Sequence, residues 1–149
     1  DVIIVLRGDG KTLLLDPKSG KHKDLLQKPA IMRAVMRNDK LVILTKTSEI
    51  EIYKVDGDIR LIKSIGIKDY GIESLPAKID YFEAENLRAI FCIEGSNLHI
   101  LAWRDDKIKH YVIENASDFA ISNNFLVVPN EYISKPTYVY ALDKLIQLY

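Results

Sequence analysis

Short apolar runs separated by short polar turns make up most of the chain. Three runs, at residues 41–44, 89–93 and 125–128, are hydrophobic at every position. Successive side chains of a β-strand point to opposite faces, so a continuous apolar run predicts a strand that is covered on both faces. Asparagine, aspartate and glycine, which favour turns, separate many of the runs, and turns are predicted at 38–39, 85–86 and 123–124. The pattern predicts an all-β fold, and no stretch predicts a helix of three turns.

The strands and turns fall into four similar units spaced by roughly 40 residues. Each unit has an apolar run, a turn, a second apolar run, a charged turn and a third, less apolar strand. In the last unit this third strand is expected at 145–149. The last three units have a further strand in front, predicted at 31–37, 77–83 and 117–121, whereas the first unit has none. We therefore expect one domain over 1–149, with units at about 1–28, 30–66, 77–115 and 116–149.

This succession of strand–turn–strand units resembles β-propeller repeats of the WD40-like or quinoprotein-like type. The segments Leu-Asp-Pro-Lys-Ser-Gly-Lys at 15–21 and Ile-Tyr-Lys-Val-Asp-Gly at 52–57 carry the resemblance, without the Gly-His and Trp-Asp dipeptides of true WD40 repeats. It implies about three and a half to four antiparallel, four-stranded blades. Propellers have four to eight blades, so we expect part of a larger β-propeller, with a small four-bladed ring as the alternative.

Composition narrows the possible functions. The 149 residues carry 21 basic and 21 acidic side chains, and this balance disfavours non-specific nucleic-acid binding through a whole-domain field. The single cysteine, Cys92, lies in an apolar run, so a buried and inert thiol is expected. No apolar run approaches the roughly 18 residues of a membrane span. With no secretory signal visible, a cytoplasmic location is expected, and frequent isoleucine, lysine and glutamate suggest a thermophilic source.

The residues that could carry chemistry form no catalytic motif. His22, His99 and His110 lack the spacing of a helical metal site, so we expect strand histidines and no metal. The segment 8–10 (Gly-Asp-Gly) joins two strands and is expected to be a hairpin turn, because a phosphate-binding loop would open a helix. No Gly-x-Ser-x-Gly elbow is present. The sequence therefore favours a non-catalytic protein with no cofactor, although it leaves enzymatic activity open.

The resemblance implies where a partner would bind. In propellers, the connection from one blade to the next and the turn between the second and third strands lie on one face, which is commonly used for binding. The longest connection is 66–76, and long loops in compact domains are often functional. We therefore expect a non-catalytic interaction scaffold whose loops bind a protein partner or the remaining blades. The candidate partner-binding residues are Asp69, Tyr70, Glu73, Glu94, Tyr132 and Lys135.

Two alternatives remain at this point. The first is the propeller domain of an enzyme with a ligand site in the central channel, lined by polar residues near the first strands of the units. The second is a nucleic-acid-associated accessory subunit that uses the local lysine cluster between residues 18 and 28. The candidate channel-lining residues are Arg33, Lys78, Asp80 and Asp118.

Overall fold

The computed structural model describes residues 3–28, 31–129 and 137–147. The chain divides into two compact halves, Asp1–Glu73 and Ser74–Tyr149. The described residues form four antiparallel sheets, two in each half, and every sheet is a meander in which consecutive strands are neighbours. The predicted all-β class is thereby confirmed, and the repeated antiparallel meanders agree with the predicted units.

The N-terminal half contains sheets 1 and 2. Sheet 1 has three strands among the described residues, in the order β1-β2-β3. Sheet 2 has the four strands that the sequence predicts. The strands of sheet 1 are β1 (Ile3–Leu6), β2 (Lys11–Leu15) and β3 (His22–Gln27), and those of sheet 2 are β4 (Ile31–Arg37), β5 (Lys40–Thr45), β6 (Glu49–Val55) and β7 (Ile59–Gly66).

The C-terminal half contains sheets 3 and 4. Sheet 3 has four strands, whereas sheet 4 has three and is followed by a short helix. The strands of sheet 3 are β8 (Lys78–Ala84), β9 (Leu87–Glu94), β10 (Asn97–Trp103) and β11 (Lys109–Glu114). Those of sheet 4 are β12 (Ala120–Ser122), β13 (Phe125–Val128) and β14 (Tyr138–Ala141), and the helix is α1 (Leu142–Gln147).

Equivalent tight turns join the first two strands of sheets 2, 3 and 4. Each is a two-residue connection whose first residue, Asn38, Glu85 or Asn123, has a positive φ of 54°, 53° or 52°. Asparagine reaches this left-handed region more easily than most residues, which explains its presence at two of the three turns. The turns predicted from the sequence at these places are confirmed.

The runs at 41–44 and 89–93 are covered on both faces, as predicted, whereas the same prediction is wrong for 125–128. Leu41, Val42, Ile43 and Leu44 in β5 have no exposed surface. In β13, Leu126 and Val128 are buried but Phe125 on the other face is 49% exposed, because the described residues cover only one face of this strand.

In the N-terminal half, sheets 1 and 2 share a core formed by Leu25, Leu41, Ile43 and Tyr53, with half-buried side chains around it. In the C-terminal half, one cluster joins sheets 3 and 4, with Phe91, Leu98, Ile100, Phe119 and Leu126 among its members. Each half is thus a pair of sheets packed face to face.

The fourth strand predicted for the last unit, at 145–149, is wrong over its described part. The chain is helical from Leu142 to Gln147. Leu142, Leu145 and Ile146 follow the i, i+3, i+4 spacing of a helix, and leucine, lysine and glutamine favour helices. Leu142 is fully buried, and its N–H donates to the carbonyl of Asn124 at 2.8 Å, which fixes the start of the helix against sheet 4.

Candidate functional site

The same backbone hydrogen bond recurs in sheets 1, 2 and 3. The N–H of Lys28 donates to the carbonyl of Gly10 at 2.9 Å, that of Ile67 to Ser48 at 3.1 Å, and that of Ala116 to Ser96 at 2.8 Å. In each case a residue that follows the last strand bonds to the turn that precedes the last strand but one. The connection and the turn therefore lie side by side, and we call this rim of each sheet its loop edge.

Among the described residues of the N-terminal half, the longest element of a loop edge is residues 66–73, which we call the anchored loop. A 3₁₀ turn covers Ile67–Tyr70, and Gly71 ends it in the left-handed region at a φ of 77°. The N–H of Gly71 donates to the carbonyl of Lys68 at 3.1 Å. Ile67 and Ile72 are completely buried. Two buried side chains and a closed turn give the loop a defined conformation.

The anchored loop displays three of the residues predicted to bind a partner. Asp69 and Glu73 are exposed, and Tyr70 is half-buried. The Asp69 carboxylate lies over Gly66, where a Cβ would stand 3.3 Å from its Oδ2 atom. The loop thus presents an aromatic ring and two acidic groups on a short stretch of backbone. Tyr132 and Lys135, the other loop residues predicted for this role, lie outside the described residues.

Glu94, predicted to bind a partner, has structural contacts in the C-terminal half. Its Oε2 atom accepts hydrogen bonds from the N–H of Ser74 at 2.7 Å and from the Ser74 hydroxyl at 3.2 Å. Its Oε1 atom lies 3.6 Å from Nε2 of His99. Glu94 therefore fixes Ser74 to the end of β9, and its half-buried side chain leaves little surface for a partner.

His99 and His110 form a pair that the sequence reasoning missed. Nδ1 of His99 lies 2.9 Å from Nε2 of His110, and one proton can be shared between these two atoms. Burial lowers the pKa of His99, an effect that Glu94 opposes. Burial also lowers the pKa of His110, and neighbouring His99 lowers it further. The predicted hairpin of β10 and β11 could have revealed this pair. His110 lies opposite Leu101, and His99 is two residues before Leu101 on the same face of β10, so the two histidines are diagonal neighbours across the strands.

Two of the four predicted channel-lining residues meet in the C-terminal half. Nζ of Lys78 lies 3.0 Å from Oδ1 of Asp118, donates to the carbonyl of Phe119, and stands 4.6 Å from the centroid of the Phe119 ring. Hydrogen bonds from Lys78 and from the Phe119 N–H lower the pKa of Asp118. These contacts tie β8 to the segment that enters sheet 4, so they account for both charges in structural terms.

The other two channel candidates have different surroundings. Asp80 is buried in β8, and its Oδ1 atom accepts the N–H of Tyr81 at 2.7 Å. Arg33 is exposed on β4, and its guanidinium donates to the carbonyl of Met32 at 2.8 Å. Arg33 belongs to the N-terminal half, whereas the other three belong to the C-terminal half. Their role as channel-lining residues stays a prediction.

A buried ionic cluster in the N-terminal half was also missed. Glu51 lies in β6 between Ile50 and Ile52, is 6% exposed, and bonds to the ammonium of Lys28. The Tyr53 hydroxyl donates to Glu51 Oε2 at 3.3 Å. The hydrogen bond to Glu51 raises the pKa of Lys28. The sequence did contain an indication of this cluster, namely the charged Glu51 between two isoleucines of a predicted strand. A buried charge requires a partner, so this position predicts an ion pair.

Neither a metal centre nor a membrane-spanning helix is found in the part of the chain that the structure describes. Within these residues, no three histidine, cysteine or acidic side chains are grouped so that they could hold a metal ion. Within the same residues, no helix has the length and apolar character needed to cross a membrane. Cys92 is buried, and burial together with Glu94 raises the pKa of its thiol to about 12.

Comparisons with solved structures place the chain among propeller-like folds. It is similar to Hsv2 of Kluyveromyces lactis, with 12% identity, a TM-score of 0.64, and coverage of 95% of this chain and 46% of that one. The computationally designed Ika8 protein has 13% identity and a TM-score of 0.54, with coverage of 95% of this chain and 43% of that one. BamB of Moraxella catarrhalis has 11% identity and a TM-score of 0.53, with coverage of 96% of this chain and 44% of that one. The chain thus spans less than half the length of these structures. No protein-family model and no curated protein sequence matches it.

Proposed function

We propose that this propeller-type chain is a non-catalytic interaction module that binds a protein partner through the anchored loop. The observation that carries the proposal is the loop itself, in which buried Ile67 and Ile72 support an exposed Asp69, an exposed Glu73 and a half-buried Tyr70. A loop that is already ordered loses less conformational entropy on binding than a free loop does.

The displayed groups define the chemistry of the partner. A tyrosine offers an apolar ring with a polar tip, and such residues are enriched among the side chains that dominate binding energy. Asp69 and Glu73 flank Tyr70 with negative charge. The partner surface that fits them has an apolar pocket bordered by lysine or arginine side chains. Complementary charge of this kind mainly increases the association rate and the specificity.

The similarity to propeller-type structures supports a scaffold role. Propeller-type sheets are rigid elements joined by loops, and loops on rigid scaffolds commonly carry binding residues. Identities of 11–13% are evidence for the fold alone, so the partner must be identified by experiment. The chain spans less than half of these structures, and the remaining blades of a larger propeller are one possible binding partner.

The test compares Tyr70→Ala with Tyr138→Ala, which removes an equivalent ring, 46% exposed, from β14. Proteins captured from an extract of the source organism by the wild-type chain are quantified by mass spectrometry, and affinities are then measured by calorimetry. We expect one protein to bind wild type and Tyr138→Ala equally and Tyr70→Ala on the order of tenfold or more weakly. Equal capture by all three proteins, with unchanged unfolding curves, would contradict the proposal.

A further inference from the structure

A cavity of about 160 Å³ lies at the end of sheet 3 that is opposite its loop edge. Three neighbouring strands reach this end, because β9 begins at Leu87, β10 ends at Trp103 and β11 begins at Lys109. The residues that line the cavity all belong to the C-terminal half. They include no residue of the anchored loop, so the role of this cavity is separate from the binding proposed for that loop.

The wall of the cavity contains apolar residues that are already buried. Leu87, Ala102 and Trp103 line the space, and each has little exposed surface. Ala102 lies opposite Lys109 in the paired strands, and its single methyl group leaves space that a larger residue would fill. An apolar protein cavity of about 150 Å³ is large enough to hold a benzene molecule. The volume therefore suits the apolar part of a small ligand.

Positively charged residues border this apolar wall. Arg104 and Lys107 stand in the turn between β10 and β11, Lys109 opens β11, and all three are exposed. Among the described residues, no hydrogen bond or ion pair engages the side chains of Arg104 and Lys107. Their charges are therefore available to a ligand, and we call this space the cationic cavity.

The acidic residue of the cationic cavity has a structural contact. Oδ1 of Asp105 accepts a hydrogen bond from the backbone N–H of Lys107 at 2.8 Å, which closes the turn. Asp105 is the one acidic residue among the described lining residues, beside three basic ones. The charge balance of the cavity is therefore positive.

A neighbouring cavity has the opposite charge balance. It has a volume of about 250 Å³, shares Leu87 and Arg104 with the cationic cavity, and is lined also by Glu85 and Asp143. An anion is attracted by the basic residues of the cationic cavity and repelled by these two carboxylates. The charges thus favour an anionic group in the cationic cavity, on the side of Arg104 where Lys107 lies.

We propose that the cationic cavity binds a small carboxylate with an apolar body, such as an aromatic monocarboxylate. The carboxylate pairs with Arg104 and Lys107, and the apolar body lies against the buried wall. A guanidinium can offer a carboxylate two parallel hydrogen bonds, which a neutral hydroxyl group cannot accept in the same way. Burial of the apolar body adds affinity that a bare inorganic anion lacks.

The first experiment titrates the ¹⁵N-labelled whole chain with sodium benzoate and follows the backbone amides by NMR, at neutral pH and constant ionic strength. Benzyl alcohol keeps the ring without the charge, and inorganic phosphate keeps a charge without the ring. We expect saturable shifts at residues 87 and 102–109, with a Kd for benzoate on the order of 1 mM. Each comparison ligand should bind about tenfold more weakly or not at all.

The second experiment changes the cations. Arg104→Gln and Lys107→Gln each remove one positive charge from an exposed turn, where substitutions have small effects on folding. The matched control is Lys46→Gln, which removes the same charge from an exposed residue outside the cavity lining. We expect each single variant to weaken benzoate binding about threefold and the double variant about tenfold, because exposed ion pairs contribute modestly. Lys46→Gln should bind benzoate like wild type, and urea unfolding confirms that all variants fold.

Four outcomes would overturn the proposal. The first is the absence of saturable shifts up to about 20 mM benzoate, well above the expected Kd. The second is equal affinity for benzoate and benzyl alcohol, or for benzoate and phosphate. The third is a folded double variant that binds benzoate like wild type, and the fourth is a set of saturable shifts confined to residues outside the cationic cavity.

Discussion

Replacing Phe91 by alanine tests the packing of sheet 3 on sheet 4. Phe91 has no exposed surface, and its ring centroid lies 5.8 Å from that of Phe119 with an interplanar angle of 32°. Both rings belong to the cluster that joins the two sheets. If sheets 3 and 4 pack as propeller-type blades, the Phe91–Phe119 contact contributes to the free energy that stabilises this packing.

The expected loss is large. Truncating a buried phenylalanine costs about 3–5 kcal/mol, because apolar contacts are lost and a cavity remains. The total stability of a domain is about 5–15 kcal/mol, so the loss is a substantial fraction of it. At about 2–4 °C per kcal/mol for a chain of this size, the melting temperature should fall by about 10 °C.

Urea unfolding followed by tryptophan fluorescence measures the loss. Trp103 is the single tryptophan and is 5% exposed in β10, so its emission reports on sheet 3. The matched control is Phe125→Ala, which removes the same ring from a site that is 49% exposed. We expect the control to lose about 1 kcal/mol or less, because its ring is already half in water.

Equal losses in Phe91→Ala and Phe125→Ala would refute the packing of these two sheets. A double-mutant cycle adds a sharper criterion. Phe91→Ala and Phe119→Ala, combined, should lose less than the sum of the two single changes, with a coupling of about 0.5–1.5 kcal/mol for a direct ring contact. Strict additivity would show that the two rings do not touch.

Three further predictions concern titration, thiol reactivity and the buried ionic cluster. The folded protein holds the pKa values of His99 and His110 below their usual 6.5, so the unfolded chain binds more protons as the pH falls. The free energy of unfolding should therefore be full above about pH 6.5 and decrease as the pH drops through that value. This decrease should disappear in the double variant His99→Gln/His110→Gln. Cys92 should react with a thiol reagent at neutral pH only at the rate of unfolding, and fast reaction without denaturant would contradict its burial. Lys28→Ala should lower the free energy of unfolding by about 1–3 kcal/mol, because it leaves the Glu51 carboxylate buried without its cation. The double variant Lys28→Ala/Glu51→Gln should recover part of this loss, as measured by urea unfolding.

The sheets could be predicted from the sequence because their physical cause is local. A strand that is buried on both faces must be apolar throughout, so residues 41–44 and 89–93 indicated central strands. The left-handed turns required asparagine or a tolerant residue, and Asn38 and Asn123 marked them. The end of the chain was harder, because 142–147 contains residues that suit a helix as well as a strand.

The candidate site was less predictable, because it depends on pairs that are distant in sequence. Glu94 stood in a turn that suggested a free contact residue, yet the fold turns its carboxylate toward Ser74. Lys78 meets Asp118 across forty residues, and no local pattern encodes that encounter. The anchored loop itself was predicted from its length, while its buried supports, Ile67 and Ile72, became evident only in the folded chain.

Hydrogen exchange of single amides, measured by NMR, tests most directly whether the chain is built from repeated propeller-type sheets with buried central strands. The account predicts slow exchange at every amide of residues 41–44 in β5 and 89–93 in β9, because each of these strands is bonded to a neighbour on both sides and covered on both faces. Fast exchange within either segment would contradict the repeat of central strands on which the account rests.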